Sequence, residues 1–469
     1  MKERLKTFLL ISLVSISIIL TKNLWLQAPE QLFTFADKER ELNSYVLADM
    51  IAPSKYLLNF SEINHTILYD DMKYGIWDKS KSSLIEALTA KEFELKEISN
   101  EEFINYHNVK SAVFYFADDT NSYILTRALD IKDPNDIVDR MPYMDSIYIY
   151  LGDGNSFFIF SNDDKHLAAH YPKMDISSLK EELDIIDESQ EYTYYHSMKW
   201  YGAKPNIYIP LEIEYSLPEI YVANDLYSMN ESEKKQLVEK FLGKDIGYIR
   251  QIVEGNGSTI YVYNQKYLKL NSNGLIEYFH ALENRVTERN LFLSLSTAAD
   301  FLSSNAEILK GMYLADVQEI EQDGSVGYKL SYRFRVRGIP ILLGNREVEE
   351  YVTIEVFNDH IRSYKYYPRK DMNKLPNRNI DKSKILPAFD VIDKNAGFFK
   401  ELYIDTFNID NMPENIVDGV LASIEDITLA YYDPCLMEYN EKLIPVWAIR
   451  FKGKTYAFDA YNGILVYER

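Results

Sequence analysis

Two stretches decide the fold: Tyr456-Ala-Phe-Asp-Ala-Tyr-Asn-Gly-Ile-Leu-Val-Tyr467 near the C-terminus, and Tyr267-Leu-Lys-Leu-Asn-Ser-Asn-Gly-Leu-Ile-Glu-Tyr278. They align without a gap, and Asn-Gly stands at the same place in both. Asn-Gly between apolar runs is a strong hairpin signal, because both residues accept the positive φ of a tight turn. A looser third copy, Thr353 to Tyr364, matches when aligned on its terminal tyrosine, with Asp359-His360 where the others have Asn-Gly. Three copies at unequal distances are not a solenoid; they predict repeated use of one antiparallel module.

Helical text accompanies these hairpins. Between Asn230 and Gly243, Asn230 is placed to cap, Glu233 to reach back to it, and Gly243 to stop the helix. Thr297–Lys310 reads as another capped amphipathic helix, and a further one is expected around Ser383–Phe399. The order helix, strands, hairpin thus occurs twice, which predicts two domains of similar plan, each a helix against an antiparallel sheet. Nearer the N-terminus, Pro53 opens strand-like text, and Ser82–Leu95 reads as a helix whose face combines Leu84, Ile85, Leu88 and Leu95. Asp145–Tyr150 and Ser156–Ser161 flank a Gly-Asp-Gly turn. The acidic stretch Asp175–Glu191 keeps Ile176, Leu179, Leu183 and Ile186 at helical spacing, ahead of a boundary near 190–225.

At 469 residues the chain exceeds the size at which single cores stop growing, roughly 250–300 residues. The 38 tyrosines favour sheets with wet faces. A formal net charge of -21 repels phosphate backbones and argues against nucleic acid as a partner. A single cysteine, Cys435, rules out an intramolecular disulfide and reads as a buried small hydrophobe.

Location is read from the first residues. Lys2, Arg4 and Lys6 precede an apolar run from Phe8 to Leu20, which reaches spanning length if Lys22 snorkels and Trp25 joins the interfacial belt. The expected fold class is therefore α+β: an N-terminal transmembrane helix followed by several extracytoplasmic domains of antiparallel sheets with packed helices. The parts are an anchor at 7–26 with its N-terminus cytoplasmic, an α+β domain at 30–225, a central one at 226–372, and a C-terminal one at 378–469. A cleaved signal peptide is the alternative, although no small-x-small site follows the apolar run and Pro29 stands just beyond Ala28.

Catalytic signatures are thin. His166 and His170 have the spacing that puts two imidazoles on one helical face, with Asp163 and Asp164 nearby, but no third ligand is identifiable. Ser177 and Lys180 fit S-x-x-K without its companion motifs. Arg333, Arg335 and Arg337 share one face of a strand and read as a salt-bridge ladder or a clamp for a carboxylate partner. No catalytic residue, metal or cofactor is assigned.

Several stretches, taken in order, resemble the YycH family: Asn23-Leu-Trp25 followed by Pro29, the strand opened by Pro53, Phe241–Phe279, Ser331–Ile341 and Val352–Arg369. The segment Ile444–Leu465 is similar to the sister YycI proteins and to PepSY-type domains, whose pattern of Gly, Tyr, Asp, Gly is met by Gly453, Tyr456, Asp459 and Gly463. The resemblance implies a non-enzymatic, membrane-anchored regulator in the cell membrane that contacts the sensor histidine kinase WalK (YycG) and a YycI-like partner, partly through transmembrane helices. Ser12 and Ser15, with Trp25, are then the candidate partner-contacting residues of the anchor. A sensor for a peptide or cell-wall fragment is the alternative, and it predicts a concave, tyrosine-lined pocket. A peptidoglycan hydrolase would require clustered catalytic groups.

Overall fold

Strand text becomes strand structure from Lys55 onward. β1 (Lys55–Asn59), β2 (His65–Leu68), β3 (Glu94–Ile98), β4 (Ser111–Asn121), β5 (Tyr143–Tyr150), β6 (Phe157–Ser161), β7 (His166–His170), β8 (Tyr195–Ser197) and β9 (Tyr208–Pro210) form one sheet. Its order is β3-β7-β6-β5-β4-β1-β2-β8-β9, with antiparallel neighbours throughout. β6 is buried at every position, so both faces of the sheet are covered there. One face gathers Leu57, Val113, Tyr148, Phe157 and Ile159 around Phe103, which comes from the helix Asn100–Tyr106. Alternation along β6 sends Phe158 and Phe160 the other way. In the helix Ile76–Thr89, Leu84 and Leu88 are buried, whereas Ile85 is exposed and Leu95 lies on β3 instead. The acidic stretch does fold as the helix Ser177–Ser189, burying Leu179, Leu183 and Ile186.

The computed structural model describes residues 51–69, 74–152, 154, 156–163, 165–190, 192–204, 206–210, 217, 219–243, 246–305, 311–336, 338–371, 384–409, 415–436 and 440–469. The expected anchor at 7–26, with Ser12, Ser15 and Trp25, lies outside them, as do Asp164 and Arg337. Among the described residues no helix is long and apolar enough to cross a membrane.

The rest of the chain supplies β10 (Tyr221–Ala223), β11 (Arg250–Val253), β12 (Thr259–Tyr263), β13 (Lys266–Leu270), β14 (Ile276–His280), β15 (Met312–Gln322), β16 (Ser325–Val336), β17 (Ile339–Leu343), β18 (Val352–Phe357), β19 (His360–Tyr366) and β20 (Lys370–Asp371). After these come β21 (Ile424–Asp433), β22 (Glu441–Lys442), β23 (Ile444–Phe451), β24 (Lys454–Asp459) and β25 (Leu465–Glu468). A single ladder runs β11-β12-β13-β14-β19-β18-β16-β17-β21-β23-β24-β25, with β15 on the far edge of β16. A small sheet, β20-β10-β22, draws strands from distant parts of the sequence. Main-chain ladders therefore cross both boundaries expected near 226 and 378.

The Asn230 cap forms as the sequence predicts. Its side chain accepts from the Ser232 and Glu233 amides, Glu233 accepts from the Asn230 amide, and Gly243 ends the helix at φ 97°. The next helix is Leu291–Asn305, starting upstream of the expected Thr297, because Asn290 accepts from the Leu293 amide and supplies the cap. The helix expected around Ser383–Phe399 is two, Ala388–Lys394 and Ala396–Phe407. Between them the Asn395 side-chain Nδ2 donates to the carbonyls of Val391 and Gly463.

Each repeat is a hairpin: β13–β14, β18–β19 and β24–β25. Gly274 and Gly463 take positive φ in the first and last, as Asn-Gly requires. The middle copy turns one residue earlier than the alignment implies, at Asn358-Asp359, with Asn358 at φ 55° and Phe357 paired to His360. The repeat also has a packing logic. Tyr278 and Tyr364, equivalent residues of two copies, pair across β14 and β19, and Phe241 and Phe301 from the two helices pack on them.

The ladder passes between its halves through a parallel contact, Ile341 to Leu343 against Tyr431 to Asp433. Gly344 continues it by donating to the Asp433 carbonyl at 2.8 Å. A Cβ at Gly344 would stand 2.4 Å from that carbonyl oxygen. Gly344→Ala is therefore expected to cost about 1–3 kcal/mol, the range of overpacking, measured by chemical denaturation. Asp433 also anchors a buried ion cluster. Arg369 donates from Nε and Nη2 to Asp433 and from Nη1 and Nη2 to Glu441 of β22, and its guanidinium lies over the Tyr367 ring at 4.7 Å.

Candidate functional site

The residues with catalytic spacing are spent on structure. His166 and His170 lie on β7, a strand and not a helix, so the residues between them separate their Cα atoms by about 13 Å along the strand. His166 Nδ1 meets Ser161 Oγ at 3.0 Å and its ring stacks on Phe103, whereas the His170 ring lies against Phe157. The Ser177 hydroxyl donates to Asp175 at 2.6 Å, at the exposed start of its helix. Arg333 donates to Glu350, and Arg335 donates to the Pro53 carbonyl while lying over Tyr313, so both make internal contacts. Cys435 sits beside Asp433, where burial first and the neighbouring carboxylate second push its thiol up to about 12. A thiol held in that state is a poor nucleophile. Among the described residues no three His, Cys, Asp or Glu side chains are grouped to hold a metal ion.

A second group of histidines is buried in the N-terminal sheet. His65 Nδ1 pairs with Asn59 Oδ1 at 2.8 Å and its Nε2 faces the Glu62 carbonyl. His107 Nδ1 meets the Tyr208 hydroxyl at 3.2 Å, and its Nε2 has no hydrogen-bond partner among the described residues. Burial holds His65 down at about 4 and His107 at about 3. Both are therefore neutral core residues at ordinary pH.

What remains is surface, and one sheet edge differs from the others. β11 is exposed at every position, with Val253 67% and Ile252 39% accessible, and Tyr248 just before it 82% accessible. Side chains alternate on a strand, so two consecutive apolar residues show that both faces of β11 are wet. β12 behind it is half-buried throughout and carries Tyr261 and Tyr263. The edge strand β3, by comparison, presents Glu94 and Glu97 to solvent, the usual protection against unwanted pairing. Ile252 and Val253 form an exposed apolar half of an edge strand that pairs with β12 alone among the described residues, a half that suits an added strand. The sequence does carry a signal for it, since Ile252-Val253 breaks polar alternation just before Gly255-Asn-Gly257.

Comparison with known proteins places the architecture. No family model matches this chain, and no curated protein matches it in sequence. Among solved structures it is similar to YycH from Bacillus subtilis, with a TM-score of 0.55 and 14% identity over 88% of this chain and 96% of that one. An uncharacterized protein from Eubacterium rectale aligns with a TM-score of 0.34 and 15% identity over 54% of this chain and 86% of that one. The YpeB C-terminal domain of Bacillus megaterium aligns with a TM-score of 0.24 and 14% identity over 51% of this chain and 97% of that one. Both of these overlaps are too loose to define a shared fold. The first is not, and the chain is YycH-like in fold over 88% of its length.

Proposed function

We propose that this chain is a non-enzymatic regulator, anchored in the cell membrane by residues 7–26, whose extracytoplasmic part adjusts a cell-wall sensor histidine kinase by protein–protein contact. The observation that carries the reading is the YycH-like fold over 88% of the chain, together with YycH-like stretches in the same sequence order. The internal use of His166, Ser177, Arg333 and Cys435 supports a binding role over catalysis. Ser12, Ser15 and Trp25 are the contacts offered within the membrane, and the parts at 30–225, 226–372 and 378–469 form the outer body, the last resembling YycI and PepSY modules. Outside the membrane, the β11 edge is the surface for a YycI-like partner.

Crosslinking and capture from native membranes tests this. The intact chain is expected to bring down a histidine kinase and a small anchored protein. A chain with 7–26 replaced by an unrelated span is expected to bring down less kinase, and Val253→Lys, which charges the edge strand, roughly tenfold less of the small protein, equivalent to about 1.4 kcal/mol. If no bait captures a kinase, the regulatory reading fails.

A further inference from the structure

A cleft of about 450 Å³ opens between the N-terminal sheet and β15, and nothing in the regulatory reading uses it. Its walls are two irregular strands. In β4, pairing with β5 jumps from Tyr115–Ser146 to Thr120–Met144, so the residues from Phe116 to Asp119 bulge opposite the single residue Asp145. In β15, pairing with β16 skips Ala315 between Leu314 and Asp316. Bulges re-aim side chains and concentrate beside functional sites. Here two of them, from distant parts of the sequence, border the same space.

The lining has two characters. Phe116, Ile124, Leu291, Leu295, Leu314 and Val317 make an apolar floor, with Tyr143 and Tyr328 among the remaining walls. Among the described residues, the charged groups lining the cleft are Asp119, Asp316 and Glu319. Glu319 pairs with Arg289 at 3.3 Å, and Asp316 accepts from Gln318. The site still carries net negative charge. Asp145, across from the β4 bulge, has its carboxyl raised to about 6, mainly by burial and further by the charges of Asp163 and Asp119. Finally, β15 pairs with β16 alone among the described residues, so its outer edge has backbone groups to offer.

We propose that this cleft binds a short extended peptide in which a basic side chain stands next to an aliphatic or aromatic one. The floor takes the apolar side chain, Asp316 and Glu319 take the ammonium or guanidinium group, and the edge of β15 takes the peptide backbone. An acidic or neutral peptide would cover Asp316, whose hydrogen-bond donor Gln318 is neutral, without bringing it a counter-charge, which is the source of selectivity. The proposal stands whether or not the chain contacts a kinase.

The test uses the full chain in detergent and a fluorescein-labelled heptapeptide, Gly-Leu-Lys-Phe-Lys-Leu-Gly, with glutamates replacing both lysines as the control. Fluorescence anisotropy is expected to show the lysine peptide binding at least about tenfold more tightly than the control, with added salt weakening it. Asp316→Asn combined with Glu319→Gln is expected to remove about tenfold of that affinity, and Leu314→Trp, which fills the cleft, to abolish binding. Thermal unfolding of each variant checks that it is folded. Hydrogen exchange of the unaltered chain gives a second readout, with added protection expected along 312–322 when the lysine peptide is bound. Equal binding of both peptides, undiminished binding by folded variants, or no added protection on β15 would each overturn the assignment.

Discussion

Replacing Arg369 by alanine is expected to remove about 3–5 kcal/mol of stability, the cost of breaking a buried ion pair from one side. Arg369 is 5% exposed, and its partners Asp433 and Glu441 have no exposed side-chain surface. Without the guanidinium, two carboxylates stay buried at short range with no cation between them. The Tyr351 hydroxyl and the Cys435 amide, which donate to Asp433, and the Leu436 amide, which donates to Glu441, are neutral donors and bring no positive charge. With total stability of the order of 5–15 kcal/mol for a folded protein, the loss is a large fraction. Arg369→Lys is expected to recover only part of it, because a point charge cannot span two carboxylates as the planar fork does. Urea denaturation measures both. A midpoint for Arg369→Ala within error of the parent would refute the argument.

Acid is expected to loosen the N-terminal sheet before the rest. His65 binds its proton only below about 4 in the folded chain, against about 6.5 when unfolded. Between those values the unfolded state holds more protons, so stability falls as pH falls across the window. The loss is roughly 3 kcal/mol for His65 over the full window, at about 1.4 kcal/mol per pH unit. His107 acts in the same direction and over a wider range, down to about 3. The groups facing these rings are Asn59, the Glu62 carbonyl, Tyr208, His196 and Lys199 for His65, and His65, Tyr208, Phe103, Tyr148, His166 and Lys199 for His107. None supplies a carboxylate to hold an imidazolium. Asp145 opposes the trend, since a carboxyl raised to about 6 takes up a proton more readily in the folded state. Comparison with His65→Gln and His107→Gln isolates the histidines. Each variant is expected to flatten the dependence of stability on pH between 4 and 6.5 by about one proton's worth, and slopes parallel to the parent's would sink the idea. Hydrogen exchange at pH 4.5 adds location, with protection lost first from β1, β2, β7 and β8.

Local features were legible and distant ones were not. The Asn230–Glu233 cap and the Asn-Gly hairpins were readable because everything that forms them lies within a few residues. The start at Asn290 escaped because Thr297 is also a competent cap, and the break at Asn395 because its side-chain amide is satisfied partly by Gly463, far along the chain. His166 and His170 misled because an i, i+4 pattern has meaning only after helix or strand is known. The order of the sheets, the β17–β21 contact and the Arg369 cluster all depend on pairing between remote segments, for which one sequence has no signature. The same holds for the cleft: the bulge after Tyr115 and the skip at Ala315 look like ordinary strand text. The β11 edge was visible in the text, but exposure at both parities reads the same as a fully buried strand until burial is known.

The parallel contact between β17 and β21 makes the C-terminal portion a tenant of a strand synthesised long before it. Released by proteolysis or expressed alone, residues 384–469 would lose Arg369 from Asp433 and Glu441 and present the bare flank of β21, where Ala430 and Tyr431 are buried in the intact chain. Such a fragment is predisposed to self-association, and a tethered copy of Ile339–Leu343 should act as its chaperone.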